Sequence, residues 1–133
     1  MKGSLALAFV LACSTSPGSA SFGTTPFATA TSDQGKLDVA MYSSPDPIAR
    51  VSSVKLVVKG AQRGAPVDGL TVAIVPFMPA MGHGSSTTPT VTGQGQGTYV
   101  ASDVVMPMAG QWELRTSMSG PVVDTLVVDV QVP

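Results

Sequence analysis

From Lys36 to the C-terminus the chain repeatedly places apolar residues at every second position, in short runs separated by glycine, proline and small polar residues. A period of two fits the pleat of a strand, whose successive side chains point to opposite faces, and does not fit a helix. Gln111 to Met118 shows it most cleanly: Trp112, Leu114, Thr116 and Met118 share one face, and Gln111, Glu113, Arg115 and Ser117 share the other. Val51 to Lys59 repeats the pattern with Val54, Leu56 and Val58 on one side, as does Val122 to Val132 with Leu126, Val128, Val130 and Val132. Leu70 to Phe77 is apolar almost throughout, which periodicity alone leaves open to a buried helix, but its β-branched content and short length favour a central strand. Lys36 to Tyr42 and Gly97 to Val105 complete the set, and Ser43-Ser44-Pro45-Asp46-Pro47 and Gln62 to Asp68 read as turns.

Six to seven short strands with turn signals between them predict an all-β fold, a single immunoglobulin-like antiparallel β-sandwich over residues 36–133. The 14 glycines and 11 prolines supply turns and oppose long helices. Gly93-Gln94-Gly95-Gln96-Gly97 is expected as a hairpin connection rather than a phosphate cradle, because it does not follow a strand and open a helix. No internal repeat of solenoid or propeller length is visible.

The first residues carry an export signal. Lys2 is the positive region, Leu5 to Leu11 the apolar region, and Val10-Leu11-Ala12 precede Cys13 in the order of a lipoprotein cleavage box. Residues 1–12 are therefore expected to be a lipoprotein signal peptide and Cys13 the lipidation site, its thiol taking a diacylglyceryl group and its freed α-amine a further acyl chain. The alternative is ordinary cleavage after Gly18-Ser19-Ala20, which leaves a soluble exported protein. Residues 13–35 are rich in Ser, Thr, Gly, Pro and Ala and are expected to be a disordered tether from the lipidated cysteine to the domain. Cys13 is the one cysteine in the chain, so the mature domain rests on its core with no disulfide. The expected location is the cell envelope, lipid-anchored on the periplasmic side; Ser14, which is not acidic, leans the choice toward the outer membrane.

Composition removes several functions. With 11% charged residues and a net charge of -1 there is no basic patch for nucleic acid. A zinc site would need more than one histidine besides the committed cysteine, and the aspartates lack the clustered spacing of a calcium loop. No G-x-S-x-G elbow accompanies His83, so a serine such as Ser85 or Ser86 is ordinary loop composition and no enzyme is expected. No apolar stretch after residue 13 is long enough to span a bilayer.

Two segments stand apart: Met78-Pro79-Ala80-Met81-Gly82-His83-Gly84 and Met106-Pro107-Met108-Ala109-Gly110. They hold four of the seven methionines and the only histidine. Thioether sulfur and neutral imidazole suit Cu(I), and in an oxidising compartment they avoid the disulfide chemistry of thiolates. Pro79 and Gly82 predict a turn that could aim Met81 and His83 inward together. The spacing of Met106 and Met108 would place both on one face of an extended backbone. A plainer reading remains open beside this one, in which the methionines fill core gaps near Trp112 and the glycine-flanked histidine faces solvent.

These residues resemble the YtkA-like domain family, itself similar to the periplasmic part of FixH-type proteins. The similarity runs from about Val51 to Ser119, through Gly64-Ala65-Pro66-Val67-Asp68-Gly69, the Met78 to Gly84 segment, Pro89, Gly97-Thr98-Tyr99 and Met108-Ala109-Gly110-Gln111-Trp112-Glu113-Leu114. The resemblance implies an extracytoplasmic immunoglobulin-like sandwich without enzymatic activity, of a kind found beside metal-transport or copper-oxidase functions. It carries Met78, Met81, His83 and Met108 onto the candidate metal site, while Met106 stands where an aromatic or aliphatic residue is expected.

Together these readings predict a lipid-anchored copper-binding or copper-handling domain with Met81 and His83 as primary ligands for Cu(I), completed by Met78, Met108 or both, with Met106 as the outlying candidate. Such a domain needs membrane lipid at Cys13 and a protein to receive the metal. The alternative is a non-catalytic structural or interaction module of a membrane-associated complex, with the methionine-rich loops as an adaptable surface.

Overall fold

A computed structural model describes residues 21–133. The strands are β1 (Ala28–Thr31), β2 (Leu37–Ser44), β3 (Val51–Gly60), β4 (Thr71–Met78), β5 (His83–Gly84), β6 (Thr90–Gly95), β7 (Thr98–Val105), β8 (Gly110–Ser119) and β9 (Asp124–Val132), with one 3-10 turn at Pro79–Met81. They form a five-stranded sheet in the order β1-β2-β3-β7-β6 and a four-stranded sheet in the order β5-β4-β8-β9. Every pairing is antiparallel. With β2, β3, β6 and β7 in one sheet and β4, β8 and β9 in the other, this is the ABED and CFG arrangement of an immunoglobulin-like sandwich. The six segments read as strands from the sequence are β2, β3, β4, β7, β8 and β9. Strand β6 has no counterpart among those segments and lies at a sheet edge, as do the two short strands β1 and β5.

Alternation in the sequence becomes burial in the structure. Val54, Leu56 and Val58 of β3 face Trp112, Leu114 and Met118 of β8 and Leu126, Val128 and Val130 of β9 in one continuous core. The apolar run at Leu70 to Phe77 is strand β4, buried at alternate positions. At roughly 25 cal/mol per Å² of apolar surface, such burial is the main term opposing chain entropy where no disulfide shares the load.

Part of the stretch expected as a tether over 13–35 is instead ordered. Gly23 and Phe27 donate their N–H groups to Ser43 and Met41 carbonyls at 3.2 and 2.8 Å, and Ala28–Thr31 then pairs with β2. The ordered domain therefore begins well before Lys36. The physical reason is that an edge strand needs only one covered face, which the small alternating Ala-Thr-Ala-Thr run supplies without large apolar residues. The signal peptide at 1–12 and Cys13 lie outside the described residues.

Within the Gly93 to Gly97 stretch, Gln96 and Gly97 form the turn of the β6–β7 hairpin, while Gly93 and Gly95 pair with β7 as part of β6. Gln96 and Gly97 both hold positive φ, 54° and 71°, as that turn requires. Gly97 is also sterically fixed, because a Cβ there would collide with the Val58 carbonyl oxygen.

Candidate metal centre

The first methionine segment continues from β4. Pro79 opens the 3-10 turn, and Gly82, in the left-handed conformation at φ 65°, ends it with its N–H on the Met78 and Pro79 carbonyls. The chain is thereby reversed into β5, which sets His83 directly opposite Met78. Directly opposed residues in an antiparallel pair project to the same face. Met78 points into the sandwich, 6% exposed, so His83 stands on the inner side at the open edge of the sheet.

The neighbouring strand extends this row. Phe77 pairs with Glu113, so the next step along the ladder places Met78 beside Trp112, which in turn pairs with Val130. The His83 ring reaches the indole edge-on, with centroids 6.4 Å apart and planes at 67°. Imidazole, thioether and indole thus share one end of the inner face of the four-stranded sheet.

The second methionine segment closes over the same place. The Trp112 Nε1–H donates to the Met108 carbonyl at 2.9 Å, tying the β7–β8 connection to the indole. Gly110 lies so close that a Cβ there would approach the Met78 Cε to 2.8 Å, which places the first segment's thioether methyl against the second segment's backbone. The two loops, far apart in sequence, therefore meet.

Their methionines divide by exposure. Met106 is fully buried in the core and its N–H bonds to the Arg50 carbonyl at 2.6 Å, whereas Met108 is 39% exposed. The extended backbone that would have put both on one face is absent, since the chain leaves strand geometry at Met106 and bends at Met108 and Ala109. Met81, on the 3-10 turn, is 54% exposed and does not point inward with His83. His83 itself is exposed, its Nδ1 lying 3.2 Å from the Gly84 carbonyl oxygen.

Among the described residues, no three of His, Cys, Asp and Glu are grouped so as to hold an ion. The donors gathered at this end are one imidazole and several thioethers, a set that favours soft over hard cations. Sequence reasoning missed the part played by Trp112 and Gly110 in joining the loops. Trp112 looked like one more inward residue of β8, and only the register between β4, β5 and β8 makes it a wall of the site.

A family model described as YtkA-like matches residues 31–117. Among solved structures, a copper-bound variant of FetP from uropathogenic Escherichia coli strain F11 is similar in fold, with a TM-score of 0.56 and 8% identity over 81% of this chain and 96% of that one. No curated protein matches the chain.

Proposed function

The chain belongs to the YtkA-like family, and from that premise we propose that it is a non-enzymatic, extracytoplasmic metal-handling domain that takes Cu(I) at the end where its two methionine-rich loops meet. The observation that carries this reading is the opposition of His83 and Met78 across β5 and β4, with the His83 ring against Trp112 and the Met108 carbonyl tied to the same indole. His83, Met81 and Met108 are the ligands open to solvent, and Met78 backs them from the inner face. Met106 stays in the core as a packing residue. A thioether and imidazole set binds Cu(I) without deprotonation and resists oxidation to disulfides. Exposure of Met81 and Met108 suits a site that must surrender its ion to a receiving protein. The copper-bound state of the FetP variant, on a similar sandwich, supports the same direction. Acylation at Cys13 would hold the domain on the periplasmic side of a membrane, with the outer membrane preferred.

A second reading, an interaction module of a membrane-associated complex, draws on the same exposed Met81 and Met108, which could pack against a protein partner. Competition against a Cu(I) chelator separates the two. The wild-type chain should withdraw Cu(I) from the chelator and change the emission of Trp112, its one tryptophan. A Met81→Ala, His83→Ala double variant should lose at least tenfold in affinity while melting as the wild type does. A wild type that leaves the chelator loaded would end the copper reading and favour the interaction module.

A further inference from the structure

The edges of the two sheets are protected unequally. In the five-stranded sheet, β1 is only four residues long, and β6 is irregular in register between Gly93 and Gly95. In the other sheet, β4 carries Pro76 and is partly covered by β5. Short length, bulges, proline and a covering segment are the usual protections of an exposed edge. The remaining edge, β9, has nine residues in the run Asp-Thr-Leu-Val-Val-Asp-Val-Gln-Val, with no proline, glycine or lysine and a regular register along β8.

The hydrogen bonds show which groups of β9 are free. The Thr125 carbonyl accepts the Asp33 N–H at 2.9 Å and so points away from β8. In an antiparallel ladder the N–H and C=O of one residue face the same side, and residues alternate. Val127, Asp129 and Gln131 therefore also direct both backbone groups outward, and among the described residues none of these groups is paired with another backbone group. The loop at Ser32 to Lys36 covers only the beginning of the edge, through the Asp33 bond and the Lys36 ammonium on the Val123 carbonyl.

We propose that β9 is the interface through which two copies of this chain pair, edge to edge and antiparallel, joining their four-stranded sheets into one. A row of free N–H and C=O groups is satisfied by another strand, and β9 is complementary to itself. With the two-fold axis on Val128, Val127 of one protomer faces the partner's Asp129, and the reciprocal pair forms as well, each exchanging both backbone bonds, while Gln131 lies opposite the partner's Thr125, whose carbonyl the Asp33 N–H already holds, and so stays outside the ladder. Residues of equal parity meet, so Leu126, Val128 and Val130 continue the apolar face while Val127 and Asp129 continue the outer one. An axis on Asp129 would instead oppose two carboxylates on a face where Asp129 already lies across from Glu113. This inference does not depend on metal binding.

Light scattering on the full chain, over a wide concentration range, tests it. The wild type should reach a mass of two chains. Val127→Pro removes one outward N–H and leaves the β8 ladder intact, and it should yield monomer. Val127→Asp sets a carboxylate opposite the partner's Asp129 while lying beside its own Arg115, and it too should yield monomer with unchanged melting. Val127→Lys, opposite the same Asp129, should keep the dimer. Because Val127 is 46% exposed, the Asp and Lys variants decide the matter even where proline prevents folding. A wild type that stays monomeric at every concentration, or a dimer that survives Val127→Asp, overturns the proposal.

Discussion

The two ends of the sandwich are closed by different chemistry. At the Met118 end of β8, polar side chains hold the connections: Asp124 accepts hydrogen bonds from the Ser32 hydroxyl and the Gln34 N–H, Tyr99 Oη bridges Val67 and Leu70, and Asp68 accepts the Gly97 N–H. At the Gly110 end, the β7–β8 connection packs on Met78, Met106 and Trp112 and is tied down by the indole N–H on the Met108 carbonyl and the Met106 N–H on the Arg50 carbonyl, with the Ser52 hydroxyl bonded to Ala49 as the side-chain tie of the neighbouring β2–β3 connection. Directional bonds fix a loop in one geometry, whereas thioethers pack without demanding one. The first end is built to stay shut. The second leaves exposed methionines and a histidine over an apolar floor, the place where the proposed ion would be exchanged.

The largest effect should come from removing that floor. Trp112 is fully buried and contacts the His83 ring, so Trp112→Ala should cost about 3–5 kcal/mol of stability, the usual range for an aromatic deletion in a core. Urea denaturation gives the measurement. A loss no greater than that of a surface substitution would mean that the methionine end is not organised around the indole, and the contrast between the ends would fail.

How much of this was legible in the sequence follows from what each residue has to bury. Trp112, Leu114, Thr116 and Met118 alternate because β8 is covered on one side by a full sheet, and such strands announce themselves. The strands β1 and β6 do not, since every residue of β6 except Val91 is exposed and β1 is built of alanine and threonine. The hairpin that brings His83 opposite Met78 was foreshadowed by Pro79 and Gly82. The direction of Met81 was not, because a 3-10 turn rotates side chains by a different angle from a strand, and its residue leaves the inner face. Met106 and Met108 are chemically alike and two apart, yet one is core and the other surface. Their fates are decided by where β7 ends, a boundary that composition does not mark.

A smaller loss should follow from loosening the polar end. Tyr99 is 3% exposed; its hydroxyl donates to the Val67 carbonyl at 2.8 Å and accepts the Leu70 N–H at 3.1 Å. Tyr99→Phe keeps the ring and leaves those two backbone groups without it, which should cost about 1–3 kcal/mol in the same urea measurement. Affinity for Cu(I) should be untouched, because the residue lies at the far end. A variant that weakens metal binding as much as stability would show that the two ends are coupled and that their contrast is only one of composition.

The mildest probe of the comparison is acid. Asp124 is buried, and burial works to raise its pKa, but hydrogen bonds from the Ser32 hydroxyl and from the N–H groups of Thr125, Gln34 and Lys36 outweigh it and lower the pKa below the ordinary aspartate value. A carboxyl whose pKa is depressed by folding contributes stability that is fully present above its unfolded-state pKa and is lost as the pH falls through the folded-state value. Thermal melting of the wild type should therefore decline in that acid range more steeply than melting of Asp124→Asn, which has no charge there to lose. The two should differ at neutral pH and approach one another in strong acid. Parallel curves would mean that the ionised form of Asp124 does not hold the Ser32 to Lys36 loop to β9, and that the polar end is closed by packing as the methionine end is.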